Sequence, residues 1–215
     1  MQNRVPSPDR PQSAPALVNP PYVCPWWLGH LLASPVRRIF HQPAKVLAAH
    51  VRQGMTVLEP GPGMGFFTLE LARLVGGSGR VIAVDIQSRM LDGLRRRAAK
   101  AGVLDRLDAR LAAPDSLGLA DLAGAVDFTL VFAVVHELPA AAPFFREVAR
   151  ASKPGARLLL VEPKGHVTAS LFDAELRAAR DAGFTPVESP PLCRSRTALL
   201  EYAGQAKPSR IKVTP

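Results

Sequence analysis

The stretch Val57-Leu58-Glu59-Pro60-Gly61-Pro62-Gly63-Met64-Gly65 constrains the fold of this 215-residue chain more than any other. A short apolar run ends in an acid, glycines follow at alternate positions, and an apolar helical pattern starts at Phe66. That order describes a buried strand, a turn whose backbone can approach a ligand closely, and a helix with free N–H groups at its start. Strand and helix patterns then alternate along the chain, the mark of a parallel, doubly wound α/β sheet. The spacing predicts strands over 56–59, 80–84, 108–112, 127–133 and 157–161, and helices over 66–74, 87–101, 140–151 and 169–182. Lys153-Pro154-Gly155 reads as the turn before the fifth strand. Two last strands, near 185–187 and 197–202, are joined through Pro190-Pro191. That link is too short for a crossover helix, so an antiparallel hairpin is expected.

The remainder of the chain is organised around this unit. Residues 1–21 are rich in Pro, Ser, Asn and Gln and are expected to stay flexible. Residues 22–50 read as short amphipathic helices broken at Pro35 and Pro43, with one helix over 45–51. The cofactor-type domain then covers 51–203, and 204–215 form a basic, flexible tail. Cys24 and Cys193 are the only cysteines, which excludes a disulfide framework and a cysteine metal cluster, so no metal is expected. The first residues lack the apolar stretch of a signal peptide, and the best apolar run, 126–135, has strand length. A cytoplasmic protein without a membrane span fits these limits, and nothing in them specifies an oligomeric state. The net charge of +9 raises nucleic acid, an anionic membrane surface or an acidic substrate as partners without choosing among them.

Details of the glycine turn narrow the ligand. Phe66 stands where the dinucleotide pattern G-x-G-x-x-G has its last glycine. Glu59 at the strand end can pair with an ammonium group and would repel a pyrophosphate. Asp85, ending the second strand, can accept hydrogen bonds from both hydroxyls of a ribose. An adenosine that carries an amino acid satisfies all of these. The alternative is a tight strand–helix turn with a surface acid.

Together with Val81-Ile82-Ala83-Val84-Asp85, the glycine stretch resembles the first two motifs of the class I S-adenosylmethionine-dependent methyltransferases. The resemblance continues through 127–133 and 145–161, including Arg150-Ala151-Ser152-Lys153-Pro154-Gly155-Ala156, and covers roughly 45 to 202. It is strongest toward the small-molecule branch that includes quinone-ring methylases. It implies a Rossmann-like sheet of seven strands with an antiparallel last strand, and S-adenosyl-L-methionine as cofactor. By position it also implies that Gly61, Gly63 and Gly65 wrap the methionine moiety, Asp85 holds the ribose, Ile86 lies on the adenine and Phe132 borders the sulfur. One departure concerns the adenine. The family has an acid or amide after the third strand, whereas this chain has Ala112-Ala113-Pro114, and Pro114 has no N–H. Asp115 substitutes if the loop shifts.

The resemblance also places acceptor-facing groups directly after the fourth strand, where this chain has His136 and Glu137. Methyl transfer from a sulfonium requires alignment and exclusion of water, and a base only where the acceptor must lose a proton. His136 is the first choice for acceptor contact or base; the alternative is that it caps the strand end while Glu137 opens a turn. Glu162 and Lys164, after the fifth strand, are second-rank lining candidates. Tyr22, Trp26 and Trp27 form either a lid over the acceptor or a cover for the sheet edge. Arg95-Arg96-Arg97 and Lys100 read most simply as a solvated helix face.

A small, apolar or aromatic methyl acceptor is therefore expected. The stretch Phe132-Ala133-Val134-Val135-His136 lacks both the Asn/Asp-Pro-Pro-aromatic motif used on adenine amino groups and a cysteine of the kind used on cytosine carbon. RNA methylation remains the alternative that the charge suggests, and a catalytically silent cofactor-binding protein is the non-enzymatic one.

Overall fold

A computed structural model describes residues 42–204. The lid candidates Tyr22, Trp26 and Trp27, Cys24 and the basic tail from 205 lie outside the described residues.

The strands are β1 (Thr56–Pro60), β2 (Arg80–Asp85), β3 (Leu107–Leu111), β4 (Val126–Phe132), β5 (Ser152–Pro163), β6 (Phe184–Glu188) and β7 (Ser195–Tyr202). The helices are α1 (Pro43–Leu47), α2 (Thr68–Val75), α3 (Ser88–Lys100), α4 (Ala141–Ala151) and α5 (Ala169–Asp181). All seven strands form one sheet in the order β3-β2-β1-β4-β5-β7-β6. β7 lies antiparallel between β5 and β6, so the hairpin expected from Pro190-Pro191 is present. Pro186 is tolerated because β6 is an edge strand, where a missing N–H costs no central ladder bond.

Alternation along the strands divides the core into two layers. Leu58, Ile82, Val131, Leu158 and Leu160 face one side, with Phe144, Phe145 and Val148 of α4 and Phe172 and Ala179 of α5 packed over them. Their neighbours Val57, Val81, Leu130, Leu159 and Val161 face the other side, under Leu47 of α1 and Leu71 and Val75 of α2. Ala83 meets Leu91 and Leu94 of α3. The period of two in the strands and the i, i+3/i+4 stripes of the helices are therefore two views of the same layers.

Two elements differ from the sequence expectation. The helix expected over 45–51 is the shorter α1, begun by Pro43 at its first turn, where its missing N–H has no partner to lose. β5 also starts earlier than 157. Ser152 pairs with Val126 and Arg157 with Phe128, so the expected Lys153-Pro154-Gly155 turn is a bulge inside the strand, with Gly155 at φ 79°.

β1 and β4 are adjacent at the centre, and connections run from them to opposite faces of the sheet. The crevice beyond their carboxyl ends is where this topology presents ligands.

Candidate active site

The glycine loop is tied down at several points. Gly61 N donates to Val84 O at 2.8 Å and Gly65 N to Pro62 O at 3.0 Å. Gly61, at φ 64°, also lies against the segment after β4: a Cβ there would come within 2.5 Å of Val134 Cγ2. Gly63, at φ 54°, is the opposite case, because a Cβ there would meet no atom of the protein within 4 Å. The loop is thus packed at its first glycine and open at its second. Arg97 of α3 donates from Nη1 to the Met64 carbonyl and braces the loop from beneath. Arg95 Nη2 likewise donates to Ala109 O at 2.7 Å. The arginine run is therefore not simply a solvated face. Arg97 falls on the buried stripe of Met90, Leu94 and Ala98, and that spacing was the available signal.

Acids stand at both neighbouring strand ends. Glu59 of β1 is buried, and Asp85 of β2 is nearly so. Asp85 Oδ1 accepts from Gln87 N at 2.9 Å. Burial pushes the Asp85 carboxyl up to about 6, and the amides of Gln87, Gly63 and Ile86 pull the other way. Asp85 and the open glycine therefore belong to one pocket edge. Ile86 beside them is exposed, an apolar surface at the crevice. Asp115 is exposed in the turn closed by Ser116 N to Ala113 O at 3.3 Å.

On the β4 side, Phe132 packs on Phe67, ring centroids 4.6 Å apart, so the aromatic expected by the sulfur position is joined to the start of α2. Ala133 follows at φ 57°, a left-handed conformation that a non-glycine residue adopts at a cost. Ala133 N donates to Val161 O at 2.8 Å, and the chain turns sharply there. The turn aims the next amides at Glu162: Val134 N and Val135 N reach its Oε1 at 3.3 and 2.8 Å. His136 Nδ1 lies 2.5 Å from Glu162 Oε2.

Glu162 was expected in the pocket wall. It is instead fully buried, with its oxygens committed to two amides and an imidazole, so it stands behind His136. Neither periodicity nor spacing could reveal this, because its partners come from a separate connection. Donation from Nδ1 to a carboxylate leaves Nε2 as the acceptor nitrogen of a neutral His136. The Glu162 hydrogen bond holds the His136 ring's proton affinity above its ordinary value, although burial opposes this, and Glu137 adds in the same direction. His166 stands edge-on to His136 with centroids 5.7 Å apart. Lys164 is fixed through its backbone, N to Arg194 O at 3.0 Å. Among the described residues, no cluster of His, Cys, Asp or Glu could hold a metal ion.

The donor set fits S-adenosylmethionine. Gly63 leaves backbone open where a ligand can lie, Glu59 is an acid for an ammonium group, and Asp85 is an acid with two acceptor oxygens beside the same loop. Comparison with known proteins agrees. A family profile described as a methyltransferase domain matches residues 58–160. The ubiquinone/menaquinone biosynthesis C-methyltransferase UbiE of Klebsiella pneumoniae is 32% identical over 112 residues, which are 52% of this chain and 44% of that one. The chain thus matches less than half the length of this curated relative. A SAM-dependent methyltransferase from Aquifex aeolicus superposes with a TM-score of 0.75 at 24% identity, covering 84% of this chain and 100% of the other. Geranyl diphosphate C-methyltransferase from Streptomyces coelicolor A3(2), solved with S-adenosyl-L-homocysteine, gives 0.61 at 16%, covering 80% and 81%. Residues 58–160 thus match a methyltransferase domain, and with this strand order and glycine loop the chain is similar in sequence and fold to the class I S-adenosylmethionine-dependent methyltransferases.

Proposed function

We infer that this protein transfers a methyl group from S-adenosylmethionine to a small, apolar or aromatic acceptor that loses a proton in the reaction. The observation that carries this reading is the buried Glu162 holding His136 at the end of β4, beside the glycine loop. A histidine so held is a fixed base, and the groups next to it, Phe132, Val134 and Val135, are apolar. The cofactor supplies a methyl group on a sulfonium, an electrophile that needs no further activation. The protein's tasks are to align the acceptor, exclude water and take the proton. Gly63 and Gly65 offer backbone to the methionine moiety, Glu59 pairs with its ammonium, Asp85 binds the ribose, Ile86 and Asp115 flank the adenine, and Phe132 borders the sulfur. His136 Nε2 accepts the acceptor's proton and Glu162 balances the imidazolium that forms; Glu137 adds negative charge nearby. The relative's printed role in quinone biosynthesis supports a ring-carbon acceptor, since replacing C–H by C–CH3 releases one proton per turnover. Among the described residues no helix is long and apolar enough to cross a membrane, and we take the protein to work in the cytoplasm.

The test is formation of S-adenosylhomocysteine with dihydroxy-aromatic acceptors. Product that depends on the acceptor is expected; cofactor binding with no turnover on any aromatic acceptor would refute the reading. Binding itself carries a pH signature. Ribose hydroxyls donate to an ionised carboxylate, so affinity should fall as the pH drops below about 6, where Asp85 takes up a proton. The limit is about tenfold per pH unit. Asp85→Ala should weaken binding by about 1.5–3 kcal/mol and abolish this dependence. Calorimetry giving equal affinities at pH 5 and 8 would remove Asp85 from the ribose site.

A further inference from the structure

Glu175 occupies a position the helix pattern reserves for an apolar residue. On α5 the buried stripe runs Phe172, Glu175, Ala179, and Glu175 is only 2% exposed. Neither of its carboxylate oxygens has a hydrogen-bond partner. An anion held in that way is costly, and a neutral acid much less so. The stripe packs into the same apolar layer as Val135, the residue before His136.

The surrounding charges define what Glu175 can affect. Glu162 of β5 repels its anionic form, and His136 of the turn after β4 favours it. Arg196, opposite Glu162 in the β5–β7 register, gives its Nε to the Val167 carbonyl at 2.9 Å. From α4, Glu147 is engaged by Ser116 Oγ and Leu117 N. From β6, Glu188 acts on His50. Glu175 is therefore coupled to the Glu162–His136 pair.

We propose that Glu175 is a positioning residue of the methyl-transfer site: a buried carboxylic acid whose ionisation makes His136 hold its proton more tightly. The proposal rests on His136 being the base. Burial, with Glu162 second, pushes the Glu175 carboxyl up to about 7, so the change of state falls in the working range. Below that point the negative charge beside His136 comes from Glu162 and Glu137. Above it Glu175 adds another, and His136 releases its proton less readily.

The experiment is an NMR titration of the His136 ring in the wild type, assigned with His136→Gln, and in Glu175→Gln and Glu175→Leu. The wild-type curve should show a second inflection near pH 7, as Glu175 ionises. Both variants should titrate in one step with a midpoint at lower pH, and the acid limb of kcat/KM should move the same way. An unchanged midpoint would make Glu175 mere filling and overturn the proposal. Should neither variant fold, a single-step wild-type curve overturns it and a two-step curve supports it. Thermal melts give a second readout. The Glu175 carboxyl is raised on folding above its ordinary 4.5, so the wild type loses stability as pH rises from there through about 7. The Tm advantage of Glu175→Gln should grow over that range and level off above it; a constant difference contradicts the buried titration. The ring titration needs no acceptor, so absence of methyl transfer would sink the functional reading separately from this coupling.

Discussion

His136→Ala is expected to lower methyl transfer on the order of 100-fold or more while leaving S-adenosylmethionine affinity nearly unchanged. His136 stands after β4 on a turn whose backbone is secured independently, by Ala133 N to Val161 O and by the Val134 and Val135 amides on Glu162. Removing the imidazole therefore leaves the glycine loop and Asp85 in place. A second consequence concerns pH. As a base His136 works in its neutral form, and Glu162 raises its proton affinity, so the acid limb of kcat/KM should lie above the ordinary histidine value of 6.5. That limb should vanish in His136→Ala. Equal turnover in mutant and wild type would leave His136 only a strand-capping role.

Gly63→Val should abolish measurable cofactor binding, a loss of about 100-fold or more, in a protein that still folds. The two effects separate because of where Gly63 points. At φ 54° a side chain costs about 1–2 kcal/mol of backbone strain. A Cβ there meets no protein atom, so no core is disturbed, yet the valine fills the space assigned to the methionine moiety. Gly61→Val makes the contrast, since its Cβ would collide with Val134 and should damage folding as well as binding. Paired melting curves and calorimetry check both; a Gly63→Val protein with wild-type affinity would move the cofactor away from this loop.

What could be read from the sequence was local and periodic. The apolar runs that hold Val57-Leu58, Val81-Ile82 and Leu158-Leu159 predict strands, and the structure places the two residues of each pair in opposite layers. Glycine spacing and the acid ending β2 were legible because the strand–turn–helix unit is contiguous. The shortness of the link at Pro190-Pro191 was enough for the β6–β7 hairpin. The features that escaped depend on apposition of distant segments. Glu162 looks like any polar residue after a strand until the turn after β4 delivers two amides and an imidazole to it. Arg97 is hidden in a run of arginines, although its helical position is on the buried face. Glu175 breaks the apolar stripe of α5 for a reason visible only when β5 and the β4 turn lie beneath it. The bulge at Gly155 likewise needs β4 as its ruler.

The excess positive charge gives the account its sharpest rival. Arg95 and Arg97 are partly spent on backbone carbonyls, and Arg110 is committed to Asp108 and Asp121 at 2.7 Å each. A site that neutralised several phosphates would show an affinity falling steeply with salt. The most direct measurement is therefore partition of label: the protein is incubated with methyl-labelled S-adenosylmethionine and, separately, small-metabolite extract and purified RNA at about 0.15 M salt. The account predicts label in an apolar or aromatic metabolite, lost in His136→Ala, with RNA unlabelled. Label entering RNA at that salt, and falling when Arg95, Arg96 and Arg97 are replaced, would contradict it.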